Sequence, residues 1–560
     1  MSTTGSETTA SAMAAAPTGA NADWSGRLLA SVRAPAGFGS HVAIGGILAV
    51  ILAVCMKMGL VPMRSYVDDL LFFADNGWRV FWGQVPHVDY SSGHGPLTFI
   101  LPALGLKLAG RSVDGLGYSN MISGIVVGLW AYLLLIRRVS GWLAVAGAAM
   151  LCLVTLAPVQ LGESFRLSTI AMSYNRLGYA LLGLMIVEAF PLREDAARGF
   201  GGAFSSGAAC ALLLFLKANY FLVSVVLSVV SLVWTGRFDR RRVLGLAAGF
   251  GAVTLAMLVY MRFDFSGMLA DLRMAADARG AKIKPAFVLQ VFAENFPGFL
   301  ILTALAAAAQ MTRRAPVRGN WLGYALHYRA LLLTGMLFAG SVALLVSNCQ
   351  FERLPIFELL ALLFIDCIVQ GTLDRRYALA LCVIGLGLIL GTQSSDPLAL
   401  VNGLRLKSSR PAEYAYPIVN GGFKGAVFMD DYLETRDSGR PFGRFLARYL
   451  QDGTDLLRRE LKSGEKVATM DNYNPFPFAL GIEPPNGGMA CAMYKQMFSD
   501  RLHPTADVYF GNADVMMFPK EHELPDDSFQ GLLIYYYPEM ERRFTLVAES
   551  AMWKMYRKKR

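Results

Sequence analysis

SYVDDLLFFADNGWRVFWGQVPHVDYSSGHGPLTFILPALGLKLAG, residues 65–110, is the stretch on which the reading of this chain turns. It places adjacent carboxylates, Asp68 and Asp69, directly after a hydrophobic span and follows them with an amphipathic segment and a turn rich in Gly, Pro and His. Charged groups at the edge of a membrane helix are expensive and usually mark function.

The rest of the chain supplies the membrane. Of its 560 residues 54% are hydrophobic and only 17% charged, and an apolar run of about 20 residues suffices to cross a bilayer. Such runs fall at 41–62, 117–136, 141–158, 174–190, 203–217, 219–235, 243–261, 296–311, 329–347, 355–371 and 377–394. The expectation is an α-helical polytopic membrane protein of about eleven helices, with a first outer loop at 64–116 and a soluble mixed α/β domain at 395–560. Residues 1–40, rich in Ala, Ser, Thr and Gly, read as a disordered cytoplasmic tail.

Short basic loops stay cytoplasmic. Arg137 and Arg138, Arg193 with Arg198, Arg237 and Arg240 to Arg242, Arg313 with Arg314 and Arg318, and Arg375 with Arg376 fall on one side only if 203–235 crosses twice, turning at Lys217, Ala218 and Asn219. That arrangement puts the Asp68 loop, the loop 262–297 and everything after about Gln393 outside a bacterial inner membrane, with the N-terminus inside. The net charge of +10 is explained by those loops and the terminal run from Lys554 to Arg560, which is free to rest on anionic headgroups, so no nucleic-acid role is implied. Seven scattered cysteines form no CxxC pair, and no disulfide framework is expected. In the C-terminal region Val467–Met470, Asp514–Phe518, Gly531–Tyr537 and Phe544–Val547 suit strands, and Gly443–Leu461 suits a helix. No nucleotide-binding glycine fingerprint occurs there.

The order of features in the first outer loop resembles the C-type polyprenol-phosphate-sugar-dependent glycosyltransferases, the GT-C fold family that includes protein mannosyltransferases and aminoarabinose transferases. Those proteins follow one membrane helix with an acidic pair, a G-x-x-P-x-x-D segment, a His-Pro-Pro or Gly-Pro turn, and a second helix. The counterparts here are Asp68 and Asp69, the run Gly83 to Asp89, and His94, Gly95, Pro96 and Leu97. Asp69 stands where Glu is commoner and Gly95 replaces the first proline, so the subfamily stays open.

The resemblance implies transfer of a sugar from a polyprenyl-phosphate donor to an exported lipid, polysaccharide or protein. Such a reaction needs a base for the acceptor and a counter-charge for the departing phosphate. Asp68 is the expected general base and Asp69 its partner or a metal ligand. Helix capping by Asp accounts for one of them but not both. Lys217, flanked by LLLF and ANYF, is either a ligand for the donor phosphate or a side chain reaching to the headgroups. His94, Arg262 and Arg353 are further phosphate candidates, and a divalent cation, Mg or Mn, would fall to Asp69 and His94. Tyr66, Trp78, Trp82, Asp89, Tyr174 and Asn175 are candidates to line the acceptor or the lipid. The aromatic series Phe72, Phe73, Trp78, Phe81 and Trp82 suits a helix in the interface plane or one packed on the bundle. Two other function classes fit the composition: a glycolipid transporter or flippase, which would show internal repeats, and a non-catalytic envelope assembly protein.

Overall fold

The computed structural model describes residues 35–189, 199–234, 239–280, 284–312, 328–348, 356–409, 415–430, 442–521 and 526–559. The N-terminal tail, Arg193, Arg198, Arg237, Arg313, Arg314, Arg318 and Arg353 lie outside them.

Apolar runs become helices where they are long enough to close their own backbone hydrogen bonds, the condition a bilayer imposes. In chain order these are α1 (Phe38–Met58), the shorter α2 (Asp69–Phe81) and α3 (Leu97–Leu108) of the first loop, α4 (Asp114–Leu135), α5 (Gly141–Leu156), α6 (Ser173–Ala189), α7 (Phe200–Leu216), α8 (Ala218–Trp234) and α9 (Arg240–Tyr260). There follow α10 (Phe265–Gly280), α11 (Pro285–Met311), α12 (Arg329–Asn348), α13 (Ile356–Gln370), α14 (Arg375–Gln393) and α15 (Ser395–Ser408). By length and composition six of the described helical segments can cross a bilayer unaided, and α3, α5, α7 and most of α8 are shorter apolar helices. Outward faces carry exposed Val50, Leu133, Val226, Leu255, Val383 and Leu390, as a lipid-facing surface requires. The protein is a multi-pass helical membrane protein with a strand-containing C-terminal region.

Helices α7 and α9 touch backbone to backbone. A Cβ on Gly207 would stand 2.0 Å from the Leu246 carbonyl oxygen, and one on Gly249 would stand 2.0 Å from that of Phe204, the small-residue packing typical of membrane helices. The expected helical hairpin turning at Lys217 is present. Helix α7 starts beside Glu188, since a Cβ on Gly202 would meet its carboxylate. The chain breaks at Lys217, and α8 returns to the Glu188 end, where Ser231 accepts from the Arg242 guanidinium. Arg138 and Arg242 thus gather at the end of the bundle opposite Asp68.

Helix α15 belongs with the bundle, not with the soluble region. Arg176 Nη2 meets Asp396 Oδ1 at 2.6 Å, and a Cβ on Gly403 would stand 2.6 Å from Met58 Sδ. Beyond it, β1 (Ala415–Pro417) and β2 (Val427–Met429) form an antiparallel pair that closes back on the membrane-edge segment: Met63 N–H donates to Val427 O, and Met429 N–H to Met63 O, both at 2.8 Å. Then come α16 (Phe442–Glu460), β3 (Val467–Thr469), α17 (Phe476–Leu480), α18 (Ala506–Phe510), β4 (Val515–Pro519), α19 (Asp526–Tyr535), α20 (Tyr537–Arg543), β5 (Phe544–Glu549) and β6 (Trp553–Lys558). The sheet order is β3-β4-β6-β5, with β3 and β4 parallel and the other pairs antiparallel.

One expectation for this region is corrected, and one segment takes an unexpected form. The run 531–537 is helical, with Leu532 and Tyr536 buried four residues apart, so its apolar content serves one helix face. The basic terminus is built into the sheet. Trp553, Met555 and Tyr556 are buried in β6, while Arg557 pairs with Glu465 at 2.8 Å. Alternation with apolar residues, masked by the charge count, makes this segment a strand.

Helix α2 is likewise not a free interfacial helix. Every residue from Leu70 to Arg79 is buried, because the C-terminal region covers the face that α3 leaves open. Asn76 Nδ2 donates to Ala490 O at 2.9 Å, Trp78 Nε1 to Ile482 O at 2.8 Å, and Arg79 Nη1 to Pro485 O and Gly487 O at 3.1 Å each. Asp75 binds Arg79 at 2.9 Å and accepts from Asn474 N–H at 3.0 Å.

Candidate functional site

Asp68 occupies the N-cap position of α2 but makes no capping hydrogen bond, and its backbone is already helical (φ −67°, ψ −29°). Capping therefore does not account for it. It is 9% exposed. Asp69, half-buried, accepts through Oδ2 from Met172 N–H at 3.1 Å. Met172 holds φ 53°, in the left-handed region that side chains disfavour, as it presents that N–H.

Burial raises the Asp68 carboxyl to about 6, partly offset by the N–H groups of Asp68 and Asp69. Burial and then the charge of Asp68 raise Asp69 further, to about 8, against the Met172 N–H and the Lys217 ammonium. Two carboxylates in one dry site hold a proton between them near neutrality. Among the described residues neither Asp68 nor Asp69 has a cation within ion-pair distance.

Lys217 sits at the break between α7 and α8, with an extended backbone (φ −163°, ψ 124°). Its side chain does not run to the headgroups. It is 7% exposed, donates to Asn348 Oδ1 at 2.7 Å and Asn175 Oδ1 at 3.0 Å, and lies 4.9 Å from the centre of the Tyr174 ring. The Gly95 turn clamps this break. Gly95 N–H and Thr98 Oγ1 both donate to Leu216 O at 3.1 Å, and a Cβ on Gly95 would stand 2.1 Å from Phe215 O. Glycine stands there because any side chain would push the Lys217 break away.

His94 packs between the rings of Tyr174 (4.8 Å) and Phe72 (5.5 Å). It is buried, and neither ring nitrogen has a hydrogen-bond partner among the described residues. Burial, then Lys217 and Arg279, hold its pKa well below the usual histidine value, so it is a neutral imidazole.

Asp68, Asp69, His94, Tyr174, Asn175 and Lys217 are therefore brought together from four separate segments. Other candidates fall elsewhere. Arg262 is 59% exposed and lies 3.6 Å from Asp89, whose second oxygen accepts from Val85 N–H at 2.7 Å. The G-x-x-P-x-x-D segment thus folds as a carboxylate-closed loop, and Asp89 and Arg262 belong to its rim. Trp78 is buried beneath the C-terminal region against Phe81 and Phe478, and Trp82 is 42% exposed. Tyr66, 37% exposed with φ 46°, leads into the acidic pair.

Sequence reading missed Arg279, Tyr473 and Cys491. Half-buried Arg279, at the end of α10, has no ion-pair partner among the described residues, and its charge acts on both His94 and Tyr174. No spacing announces it; α10 arrives because Asp271 Oδ2 lies 2.8 Å from both His87 Nδ1 and Ser92 N. Tyr473, 6.0 Å from Phe72 between ring centres, bonds the Cys491 thiol, and burial pushes that thiol up so that it stays protonated beside the carboxylates. The C-terminal region is the site's roof. Beneath it, a partly open cleft runs between helices, lined by Phe73, Thr98, Ser123, Thr155, Tyr174 and Leu216.

The donor set does not fit a divalent cation. Among the described residues no three His, Cys, Asp or Glu side chains gather as ligands, and Asp69 already accepts from Met172 N–H while the Lys217 ammonium acts on it.

No protein-family model and no curated protein matches the chain. Among solved structures it is similar to ArnT from Cupriavidus metallidurans bound to undecaprenyl phosphate, at 14% identity and a TM-score of 0.43 over 93% of this chain and 98% of that one. It is also similar to the Archaeoglobus fulgidus oligosaccharyltransferase in complex with Zn and sulfate (11%, TM-score 0.33, 91% and 72% covered). A third is the archaeal oligosaccharyltransferase AglB from Archaeoglobus fulgidus with an inhibitory peptide and a dolichol-phosphate (11%, TM-score 0.31, 91% and 73%). These likenesses are loose, and the site's own geometry supports the reading that follows.

Proposed function

We propose that this protein is a membrane glycosyltransferase that moves a sugar from a polyprenyl-phosphate donor to an exported lipid, polysaccharide or protein acceptor. The observation that carries the proposal is the convergence of an Asp pair, without an ion-pair partner among the described residues, with the cations Lys217 and Arg279 at the end of the bundle opposite the basic loops. The Arg-rich ends mark the cytoplasmic side by the positive-inside rule, which turns the Asp pair outward.

In this reading the acceptor hydroxyl attacks the anomeric carbon of the donor. The new C–O bond forms as the bond from that carbon to the phosphate oxygen breaks, and the acceptor proton passes to Asp68. Asp68, whose pKa is raised to about 6, is ionised at neutral pH yet basic enough to accept it. Asp69, raised to about 8, keeps a proton there, so the pair carries one charge and Asp69 can donate a hydrogen bond to its neighbour. Lys217 and Arg279 take up the charge of the departing phosphate. His94, uncharged, shapes the wall between them. The cleft beside Tyr174 suits the first isoprene units of the donor, having apolar walls with scattered hydroxyls. A single displacement of this kind inverts the anomeric centre. No step is assigned to a metal. The deepest polar cluster lies at one end and not at mid-membrane, which favours surface chemistry over transport.

The test is mass spectrometry of envelope glycans in a strain lacking the gene, complemented with wild type or Asp68→Asn at equal membrane abundance. The wild type should restore a missing sugar and Asp68→Asn should not. Equal restoration by both would refute the assignment.

A further inference from the structure

A second cleft lies in the C-terminal region, above α2 and beyond the C-terminal end of β3. It is partly roofed and partly open to solvent. Its polar lining comes mainly from the run Asp471, Asn472, Tyr473, Asn474, where β3 ends, with Tyr509 and Phe510 supplying aromatic surface. The C-terminal edge of parallel strands is where α/β sheets leave room for ligands.

Two of these polar groups are left without partners. Asn472 is 2% exposed and Asn474 5%, yet the side-chain carbonyl oxygen Oδ1 of each has no hydrogen-bond donor among the described residues. The Asn474 amide nitrogen is used, donating to Val467 O at 2.9 Å, so the orientation of that side chain is set and its oxygen stays unmet. A buried acceptor without a donor costs about 1–3 kcal/mol. Two side by side in one cleft indicate that the missing donors belong to a ligand.

The lining also limits that ligand's chemistry. Arg79 is the cation among the lining residues, and its guanidinium is already engaged by Asp75 Oδ1, Pro485 O and Gly487 O. Asp471 is held by the Tyr449 hydroxyl and by Asn472 N–H. The Arg79 charge is matched by Asp75 at 2.9 Å, so a phosphate or carboxylate finds no unbalanced cation. What remains is a set of neutral acceptors and an aromatic pair, Tyr509 being stacked on Tyr536 at 3.9 Å and so held rigid. Hydroxyl donors with an apolar ring face match both.

We propose that this cleft binds a neutral saccharide, the sugar portion of the acceptor. Its placement relates it to the Asp pair. Tyr473 lines the cleft on one side and, with Cys491, adjoins Phe72 and the carboxylates on the other. A sugar held there sits one layer of side chains from Asp68. The acceptor role rests on the glycosyltransferase reading; the saccharide specificity does not.

The experiment uses full-length protein in lipid nanodiscs on a printed array of neutral and acidic bacterial oligosaccharides. Wild type should bind a subset of the neutral glycans. Asn472→Leu, which keeps the side chain's size and removes an oxygen that has no donor among the described residues, should weaken that binding at least tenfold without changing the melting temperature. Asp68→Asn should bind as wild type does. If wild type binds no neutral glycan, prefers acidic ones, or is matched by a folded Asn472→Leu, the inference falls. A variant Asn472→Leu that unfolds is replaced by Asn472→Asp, whose charge should abolish binding or overturn the proposal by leaving it intact. If Asp68→Asn still transfers sugar while glycan binding behaves as stated, the catalytic reading fails and the saccharide site stands.

Discussion

Two groups of buried charge stand at opposite ends of the same helix bundle, and they are built differently. At one end Glu188 lies between Arg138, which also donates to Val187 O and Glu188 O at 3.0 Å, and Arg242 at 3.6 Å. At the other end Asp68 and Asp69 adjoin each other, met by the N–H groups of Asp68, Asp69 and Met172, while Lys217 donates to the amides of Asn175 and Asn348. The first cluster is compensated and holds helices together. The second leaves its carboxylates without an ion-pair partner among the described residues, an arrangement that costs stability and makes sense when a substrate supplies the missing partner.

That contrast can be broken or sharpened. The largest expected effect is at Asp68: Asp68→Asn should lower transfer by about 10²–10⁴-fold, the usual worth of general base catalysis, with the melting temperature unchanged or raised. Transfer rate and thermal unfolding of the purified protein read both. Glu188→Gln should do the reverse. Two guanidiniums lose their buried counter-charge, costing about 3–5 kcal/mol of stability, while the rate per folded molecule stays near wild type. If Glu188→Gln instead kills turnover in a stable protein, the division into a holding end and a reacting end is wrong.

Gly95→Ala should lower both. Its methyl, 2.1 Å from Phe215 O, must displace the Lys217 break, for about 1–3 kcal/mol of strain and a loss of donor affinity seen as a raised KM. The Asp pair also predicts a pH signature. Its folded pKa values lie above the unfolded ones, so the native chain holds protons more tightly, and the stability this contributes is present below about pH 4. It is lost as pH rises through about 6 and about 8. Melting temperature should therefore fall more steeply over that interval in wild type than in Asp68→Asn/Asp69→Asn. Transfer should rise as pH passes about 6; a flat rate profile there would speak against Asp68 as the base. The smallest effect belongs to Arg262→Ala, which breaks an ion pair 59% exposed on the arginine side. It should change stability by less than about 1 kcal/mol and leave the rate alone, measured by the same two assays.

Much of the bundle was legible because membrane helices announce themselves by long apolar runs. The span at 203–217 and its neighbour at 219–235 correspond to α7 and α8, and charge in the basic loops favoured the hairpin between them. Asp68, Asp69, His94 and Lys217 stood out because each is polar where the surroundings are not. Arg279 did not, being one of several charges on a polar helix, and an exposed arginine near a membrane edge, such as Arg262, looks the same in sequence whether or not it faces the site. Segment 531–537 misled because a short apolar run has no period long enough to separate strand from helix.

Hydropathy and local spacing thus determined the membrane class, most helix positions, and the polar residues that a bilayer would not tolerate without cause, since those depend on each segment's own solvent preference. Tertiary structure decided which of those residues meet. It closed α2 under the C-terminal region, brought α10 in through Asp271, and let the backbone at Leu216 reach a glycine 121 residues earlier. Contacts between distant segments depend on packing and on hydrogen bonds that exist only once the chain has folded, and no local pattern carries them.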